Sequence, residues 1–177
     1  MNHTTPLPGD HAPALKVSTL AGPTLDLGVV TPKSFSVVFF YRGVHCPICK
    51  SQMEELAVKL PDFDALGIEV HAVSMDSAEQ AKRQSDEWKI ADLPVGYGLS
   101  EESARAWGLF ISTKAKDPEP DLFAEPGIAV VYPDGRIYAL YLQNVPFARP
   151  RLDDLLGGLK FVLANDYPVR GSLPAAA

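Results

Sequence analysis

The sequence predicts an α/β fold in which a central mixed β-sheet is covered by helices on both faces. Three observations support this prediction. Apolar runs of strand-forming residues at 35–40, 68–75 and 93–99 alternate with segments of helical periodicity. Two strand–helix–strand crossovers imply parallel strands with helices on either side. A hairpin at about 128–142, turned by the sequence Pro-Asp-Gly-Arg, adds antiparallel strands at one side.

The first half of the chain is predicted to contain an arm, a β-hairpin, a strand and a long helix. Residues 1–13 are polar and rich in proline, and 14–27 hold two short apolar pieces around Ala-Gly-Pro, which indicates a hairpin extension. The run 35–40 is apolar apart from one serine, as expected of a central strand covered on both faces. The following helix carries an apolar stripe of Cys49, Met53, Leu56, Ala57 and Leu60.

The middle of the chain is predicted to alternate strands and helices. After a strand over 68–75, Ser77 and Gln80 have the spacing of a capping box and open a helix that runs to about residue 88. A short extended piece at 93–99 precedes a short helix capped by Ser100. The predicted order is therefore β-hairpin, β, α, β, α, β, α, β, β, α.

Two segments near the end of the chain complete the prediction. Residues 109–127 are irregular and rich in proline, which indicates either a functional loop or a surface insertion. The last helix is predicted over 149–165 from six apolar residues at helical spacing. We expect a single domain over 1–167 and a loosely held tail over 168–177.

Composition narrows the classes of function. The 177 residues are 46% hydrophobic and 21% charged, which is ordinary for a globular protein, and the net charge of −6 argues against a nucleic-acid partner. No apolar run is long enough to span a membrane, so no membrane partner is expected. The N-terminus shows no signal-peptide pattern, and a cytoplasmic location follows as the default expectation.

The two cysteines of the chain, Cys46 and Cys49, form a C-x-x-C pair between a strand and a helix. A thiol reacts as its thiolate, and the start of a helix stabilises a negative charge. Pro47 suits the first helical position, because its missing N–H would have no partner there. Cys49 lies one turn further along the same face. We therefore predict Cys46 as the exposed, attacking sulfur and Cys49 as the buried, resolving sulfur.

Two other readings of the cysteine pair remain open at this stage. Buried cysteines can be small hydrophobic residues without a redox role. A zinc site would need further ligands, for which His45 and His71 are the candidates, whereas structural zinc usually takes four ligands. Haem attachment would need a histidine directly after the pair, and here it precedes the pair. The redox reading is preferred, with no metal and no cofactor.

Four segments resemble the AhpC/TSA branch of the thioredoxin fold, the peroxiredoxin-like proteins. They are the N-terminal sequence Pro-Gly-Asp-His-Ala-Pro, the strand, C-P-x-C and helix over 39–56, the segment over 93–107, and the strand and Pro-Asp-Gly turn over 126–137. The resemblance implies a thioredoxin-like three-layer fold. It also places Pro126 where that fold carries a cis-proline that shapes the substrate surface, so a cis bond is expected there.

The chain also departs from the pattern that the resemblance implies. Peroxiredoxins carry a proline seven residues before the attacking cysteine, a threonine or serine three before it, and an arginine just before the late strand. Phe39, Gly43 and Glu125 occupy those positions here. The absent hydroxyl and guanidinium normally position and polarise a peroxide.

Four residues are candidates for the surface that meets the substrate: Arg42, His45, Pro47 and Pro126. Arg42 lies four residues before Cys46 and can lend it positive charge, or it can be a solvated arginine at a strand end. His45 adjoins the thiol and lowers its pKa when it is protonated, or it simply lines the surface.

The leading functional hypothesis is a thiol–disulfide oxidoreductase, in which a Cys46–Cys49 disulfide forms and an external thiol or a thioredoxin system reduces it again. The alternative keeps the same residues and makes a hydroperoxide the substrate, with a sulfenic acid at Cys46. From a different class, the chain can be a non-catalytic or metal-binding module on a thioredoxin-like scaffold.

Overall fold

The computed structural model describes residues 5–174, and the outermost parts of the predicted arm and tail (1–4 and 175–177) lie outside the described residues. The elements are β1 (Lys16–Thr19), β2 (Leu25–Asp26), β3 (Phe35–Phe40), α1 (Pro47–Ala65), β4 (Ile68–Val73), α2 (Ala78–Glu87), β5 (Val95–Tyr97), α3 (Glu101–Ala106), β6 (Ile111–Thr113), β7 (Leu122–Ala124), β8 (Gly127–Val131), β9 (Ile137–Leu142) and α4 (Leu152–Asn165).

The main sheet has seven strands in the order β2-β1-β5-β4-β3-β8-β9. The pairs β3–β4 and β4–β5 are parallel, whereas the others are antiparallel. The mixed sheet flanked by helices is therefore confirmed, including the N-terminal hairpin, which joins the sheet through β1 and β5. None of the helices described within residues 5–174 combines the length and the apolar composition of a membrane-spanning segment.

Strand β3 is buried along its whole length and separates two hydrophobic cores. Phe35, Val37 and Phe39 point into the core that α1 and α4 cover. Val38 and Phe40 point into the core that α3 and the N-terminal hairpin share. The alternation of side chains along a strand explains this division, and a strand buried on both faces needs the nearly continuous apolar sequence seen here.

The capping signals of the sequence are confirmed. Ser77 and Gln80 form a capping box at the start of α2, where the Gln80 backbone N–H donates to the Ser77 hydroxyl and the Ser77 N–H donates to the Gln80 side chain. Ser100 accepts a hydrogen bond from the backbone of Ser103 and opens α3. The apolar stripe of α1 is also confirmed, because Cys49, Met53 and Leu56 are fully buried.

Strands β4 and β5 are up to two residues shorter at an end than predicted, and two segments differ from the prediction by more than that. Residues 109–127 are not structureless: β6 and β7 form a separate antiparallel hairpin, whose three-residue strands are too short to show alternation in the sequence. Helix α4 begins at Leu152 instead of 149, because Pro150 disfavours helical geometry in the residue before it. Ala148 adopts a positive φ of 58° in this connection.

The expected cis bond at Pro126 is wrong. Among the described residues the cis peptide bond is Asp117–Pro118. The chain runs extended from β7 into β8, with the Glu125 N–H donating to the Phe110 carbonyl (2.8 Å) and the Gln143 N–H donating to the Pro126 carbonyl (3.0 Å). Sheet-like pairing on both sides of the Glu125–Pro126 bond is satisfied by the trans form, which is the lower in energy for most X-Pro bonds.

Candidate active site

The C-x-x-C pair lies at the junction of β3 and α1. Cys46 is the N-cap residue of α1 with extended backbone geometry, and Pro47 occupies the first helical position. The Cys46 sulfur accepts a hydrogen bond from the Cys49 backbone N–H at 3.4 Å. A sulfur thus takes the place that a serine or aspartate oxygen usually holds at a helix start, where unpaired N–H groups favour a negative charge.

The turn before the cysteines is held by Asp76, which follows β4. The Val44 N–H donates to Asp76 Oδ2 at 2.8 Å. Gly43 has a φ of 125°, and a Cβ added there would collide with the Asp76 carboxylate, so this position needs glycine for two reasons. Burial raises the pKa of Asp76 to about 6. The threonine or serine that the family resemblance implied at this position would collide with Asp76, so it does not fit at Gly43.

Both cysteines are free thiols and both are buried. The expectation of an exposed Cys46 is wrong, since the residue is 2% exposed and Cys49 is 0% exposed. The reason is that the Cys46 side chain folds back over the first turn of α1 to cap it. Pro47 and Ile48 lie at the surface beside it, so the sulfur is close to solvent without facing it.

The electrostatics of the two thiols differ in the predicted direction. The hydrogen bond from the Cys49 side chain lowers the pKa of Cys46 to about 5, against the effect of burial, with further help from the Cys49 N–H, Arg149 and Arg42. Burial raises the pKa of Cys49 well above its ordinary value. Cys46 is therefore the sulfur that ionises first, and Cys49 is a protonated neighbour that stabilises it.

Arg42 is held in a buried cluster and is not a solvated arginine at a strand end. Its guanidinium lies 4.5 Å from the centre of the Phe123 ring, 3.0 Å from Glu119 Oε1 and 3.3 Å from Glu125 Oε2. The β6–β7 hairpin, the loop within it and the residue directly after β7 supply these partners. Arg42 also contributes to lowering the pKa of Cys46, but the two carboxylates offset much of its positive charge.

Strand register explains why Arg42 meets Glu125. In the antiparallel pair β3–β8, Phe40 lies opposite Gly127, and continuing that register beyond both strand ends places Arg42 opposite Glu125. Glu125 also accepts a hydrogen bond from the Ser112 hydroxyl at 2.7 Å. The resemblance to the AhpC/TSA family implied an arginine at position 125, whereas here position 125 supplies a carboxylate and the guanidinium comes from position 42.

His45 lies beside the cluster, with its ring against the edge of Phe123 at 4.9 Å between centroids. Burial, together with the charge of Arg42, lowers the pKa of His45 to about 4. The imidazole is therefore neutral at neutral pH and does not supply the positive charge that the sequence allowed. Of the two candidate prolines, Pro47 is exposed and Pro126 is buried next to the Arg42–Glu125 pair.

Arg149 is a member of the site that the sequence analysis missed. Its Nη2 donates to the Cys49 sulfur at 3.2 Å, across one hundred positions of the sequence. It lies in the irregular connection between β9 and α4, where no periodic pattern or motif identifies it. The site therefore combines the α1 start, the β6–β7 hairpin and this connection.

The residues considered for zinc do not meet in one place. The described part of the chain contains no group of three or more histidine, cysteine, aspartate or glutamate side chains placed to hold a metal ion. His71 lies in the middle of β4, with its Nε2 3.9 Å from Glu69 Oε2.

Comparison with known families identifies one match. The model of the AhpC/TSA family matches residues 8–140, which is most of the chain and includes both cysteines. Comparison with curated proteins gives no significant match.

Solved structures of similar fold include several peroxiredoxins. A cysteine-to-serine mutant of peroxiredoxin 6 from Arenicola marina has a TM-score of 0.75 at 16% identity, covering 89% of this chain and 74% of that one. Peroxidoxin BcpB from Mycobacterium tuberculosis has a TM-score of 0.71 at 16% identity, covering 89% and 98%. The bacterioferritin comigratory protein of Xanthomonas campestris has a TM-score of 0.70 at 21% identity, covering 91% and 98%.

Proposed function

The chain belongs to the AhpC/TSA family, a family of thiol-dependent peroxidases and oxidoreductases, and we propose that it acts as a thiol–disulfide oxidoreductase with Cys46 as nucleophile and Cys49 as resolving thiol. The observation that carries the proposal is the Cys46 sulfur capping α1 through the Cys49 N–H, one helical turn from the second thiol. The opposite pKa directions of the two thiols support the assignment of roles.

The proposed cycle has two thiol exchanges. The Cys46 thiolate turns outward, attacks a substrate disulfide and forms a mixed disulfide, while the first substrate thiol leaves. Cys49 then attacks Cys46, closes the Cys46–Cys49 disulfide and releases the second substrate thiol. An external thiol or a thioredoxin-type protein reduces the enzyme again. A reducing compartment such as the cytoplasm suits this cycle, because the disulfide is transient there.

A disulfide is preferred as substrate because of the groups around Cys46. Gly43 offers no hydroxyl, and Glu125 places a carboxylate where a peroxide would need a hydrogen-bond donor. One hydrogen-bonded carboxylate, Glu119, and a second carboxylate 3.3 Å away, Glu125, leave Arg42 little freedom to bind an oxygen substrate.

Hydroperoxide reduction is the second candidate, and family membership favours it. The family implies a hydroperoxide substrate and a thiol or thioredoxin-type reductant. Arg42 and Arg149 both lower the pKa of Cys46, and a low thiol pKa also serves attack on a peroxide. In this reaction Cys46 would become a sulfenic acid, which Cys49 would resolve to the same disulfide.

The two candidates are separated by measuring peroxide consumption and insulin disulfide reduction with a thioredoxin system present. We expect insulin reduction, and a peroxide rate constant close to that of a free thiol. Fast peroxide consumption without insulin reduction would replace the first candidate by the second. Failure of both thiols to react with any substrate would contradict both.

A further inference from the structure

Arg149 is fixed by three hydrogen bonds, one from each guanidinium nitrogen. Nε donates to the Pro146 carbonyl at 2.7 Å, Nη1 donates to Gln52 Oε1, and Nη2 donates to the Cys49 sulfur at 3.2 Å. The planar guanidinium is therefore fixed by the Pro146 carbonyl and the Gln52 side chain, and its Nη2 is directed at the Cys49 sulfur. A positive charge in this position is directed at the resolving sulfur.

The Cys49 sulfur needs such a charge. The residue is 0% exposed and belongs to the core cluster of α1, among Met53 and Leu56. Solvent cannot stabilise a thiolate there, and burial accordingly raises the pKa of Cys49. Yet a resolving cysteine must ionise to attack, since a thiol is a poor nucleophile.

We infer that Arg149 is a catalytic residue of the second exchange, which stabilises the Cys49 thiolate as it attacks Cys46, with Gln52 as the positioning residue. This inference rests on the proposed function. Arg149 also lowers the pKa of Cys46 through its charge, but its hydrogen bond goes to the Cys49 sulfur, so its main contribution is to the resolving step.

The step balances without any further reactant. Cys49 loses its proton, and its sulfur attacks Cys46 of the mixed disulfide. The Cys46–Cys49 bond forms while the bond between Cys46 and the substrate sulfur breaks. The electron pair leaves on the substrate thiolate, which takes up one proton. The enzyme dithiol is oxidised by two electrons and the substrate disulfide is reduced by two.

The order of the two steps follows from the charges. In the free enzyme, burial raises the pKa of Cys49, and the hydrogen bond to Cys46 and the negative charge of Cys46 raise it further. Once Cys46 is bound in a mixed disulfide it carries no charge, and this repulsion ends. Arg149 then stabilises a Cys49 thiolate without a competing anion at Cys46, so the resolving sulfur becomes reactive only after the first exchange.

The two exchanges can be observed separately with dithiobis(nitrobenzoate), an aromatic disulfide that releases a coloured thiolate in each. The first equivalent reports attack by Cys46, and the second reports resolution by Cys49. Stopped-flow traces of the reduced full-length protein across a range of pH would be compared for wild type, Arg149→Gln, Arg149→Lys and Gln52→Leu. Cys49→Ser lacks the resolving thiol, so its trace contains only the first phase and identifies it.

We expect Arg149→Gln to release the first equivalent at nearly the wild-type rate and the second about tenfold to a hundredfold more slowly at neutral pH, as for loss of a hydrogen bond to a charged group. Its second phase should recover at alkaline pH. Arg149→Lys should restore part of the rate, and Gln52→Leu should give an intermediate rate. Arg151→Gln is the matched control, since this neighbouring arginine is exposed, and its second phase should be unchanged.

Equal second-phase rates and pH profiles in wild type and Arg149→Gln would overturn the inference and leave the proposed function intact. Absence of the first equivalent in the wild type would instead contradict the proposed function. If Arg149→Gln does not fold, as judged by circular dichroism, wild-type second-phase behaviour in both Arg149→Lys and Gln52→Leu would overturn the inference.

Discussion

At the scale of single residues, the two thiols are distinguished by the backbone of one helical turn. Cys46 caps α1 and accepts the Cys49 N–H, whereas Cys49 is enclosed in the core. Thiol exchange requires one sulfur that ionises readily and a second that is withheld until the first has reacted. The sequence spacing makes the pair possible, and the opposite directions of the two thiol pKa values distinguish the proposed roles.

Substituting either cysteine should stop the cycle at a different point. Cys46→Ser should abolish turnover, since it removes the nucleophile. Cys49→Ser should carry out the first exchange and then accumulate a mixed disulfide at Cys46, which intact-mass spectrometry detects after exposure to substrate. Full turnover by Cys46→Ser would show that another group attacks.

Gly43 should be sensitive even to the addition of one methyl group. Gly43→Ala meets both an unfavourable φ and the Asp76 carboxylate, so we expect the free energy of unfolding to fall by about 1–3 kcal/mol. Gly98→Ala is the matched control, because Gly98 also has a positive φ (74°) but open space around it. Urea denaturation should show the larger loss for Gly43→Ala, and equal losses would argue against the collision.

At the scale of elements, the β6–β7 hairpin and its loop complete the site from outside the main sheet. Glu119, Phe123 and Glu125 all contact Arg42, so this hairpin sets how much positive charge reaches Cys46. Glu119 is itself held by the backbone N–H groups of Ala115 and Lys116. The hairpin therefore acts on the thiol through the arginine.

Neutralising Glu125 should make Cys46 more acidic. Glu125→Gln keeps an oxygen for the Ser112 hydroxyl and removes one of the two negative charges beside Arg42. The midpoint of iodoacetamide alkylation of Cys46 should then move to lower pH. The same change at Glu102, an exposed residue of α3, should leave the midpoint in place. A shift to higher pH would mean that Arg42 no longer faces the thiol.

The elements also show which parts of the site could be predicted from the sequence. The strand–cysteine–helix junction, the capping box of α2, the Ser100 cap of α3 and the Pro-Asp-Gly-Arg turn depend on local signals, and all are confirmed. The contact of Arg42 with Glu125 depends on the register of β3 and β8. The sequence alone does not predict which residues of these two strands lie opposite each other. Arg149 comes from an irregular connection and has no local signal at all.

At the scale of the whole molecule, several ionisable side chains are buried within the fold. Burial lowers the pKa of both His45 and His71 to about 4, with the charge of Arg42 adding to the effect at His45. Burial raises the pKa of Asp76 to about 6. Between pH 4 and 6.5 the unfolded chain binds more protons at the histidines than the folded chain does, so their contribution to stability is lost as the pH falls. Asp76 has the opposite effect on stability below about pH 6. Its raised pKa means that the folded chain binds this proton more readily than the unfolded chain, which stabilises the fold as the pH falls.

His71 should account for a measurable part of this acid sensitivity. Moving from pH 6.5 to 4, wild type should lose about 3 kcal/mol of unfolding free energy through His71, from a pKa difference of about 2.5. His71→Leu should lack that part of the loss, whereas His11→Gln, at an exposed position, should behave as wild type. Urea denaturation at each pH measures the difference, and identical pH profiles for wild type and His71→Leu would contradict a neutral, buried His71.

Both sulfurs lie at the start of α1, so a disulfide between them changes only a local part of the chain. Their disulfide would enclose a ring of only four residues, and a crosslink restricts the unfolded chain less when the ring is small. It would tie together no two distant segments of the protein. By the chain-entropy relation a ring of four residues contributes about 2 kcal/mol, at the low end for disulfides. We therefore expect only a small rise in melting temperature on oxidation, and a redox partner would have to distinguish the two states by the surface at Pro47 and Ile48.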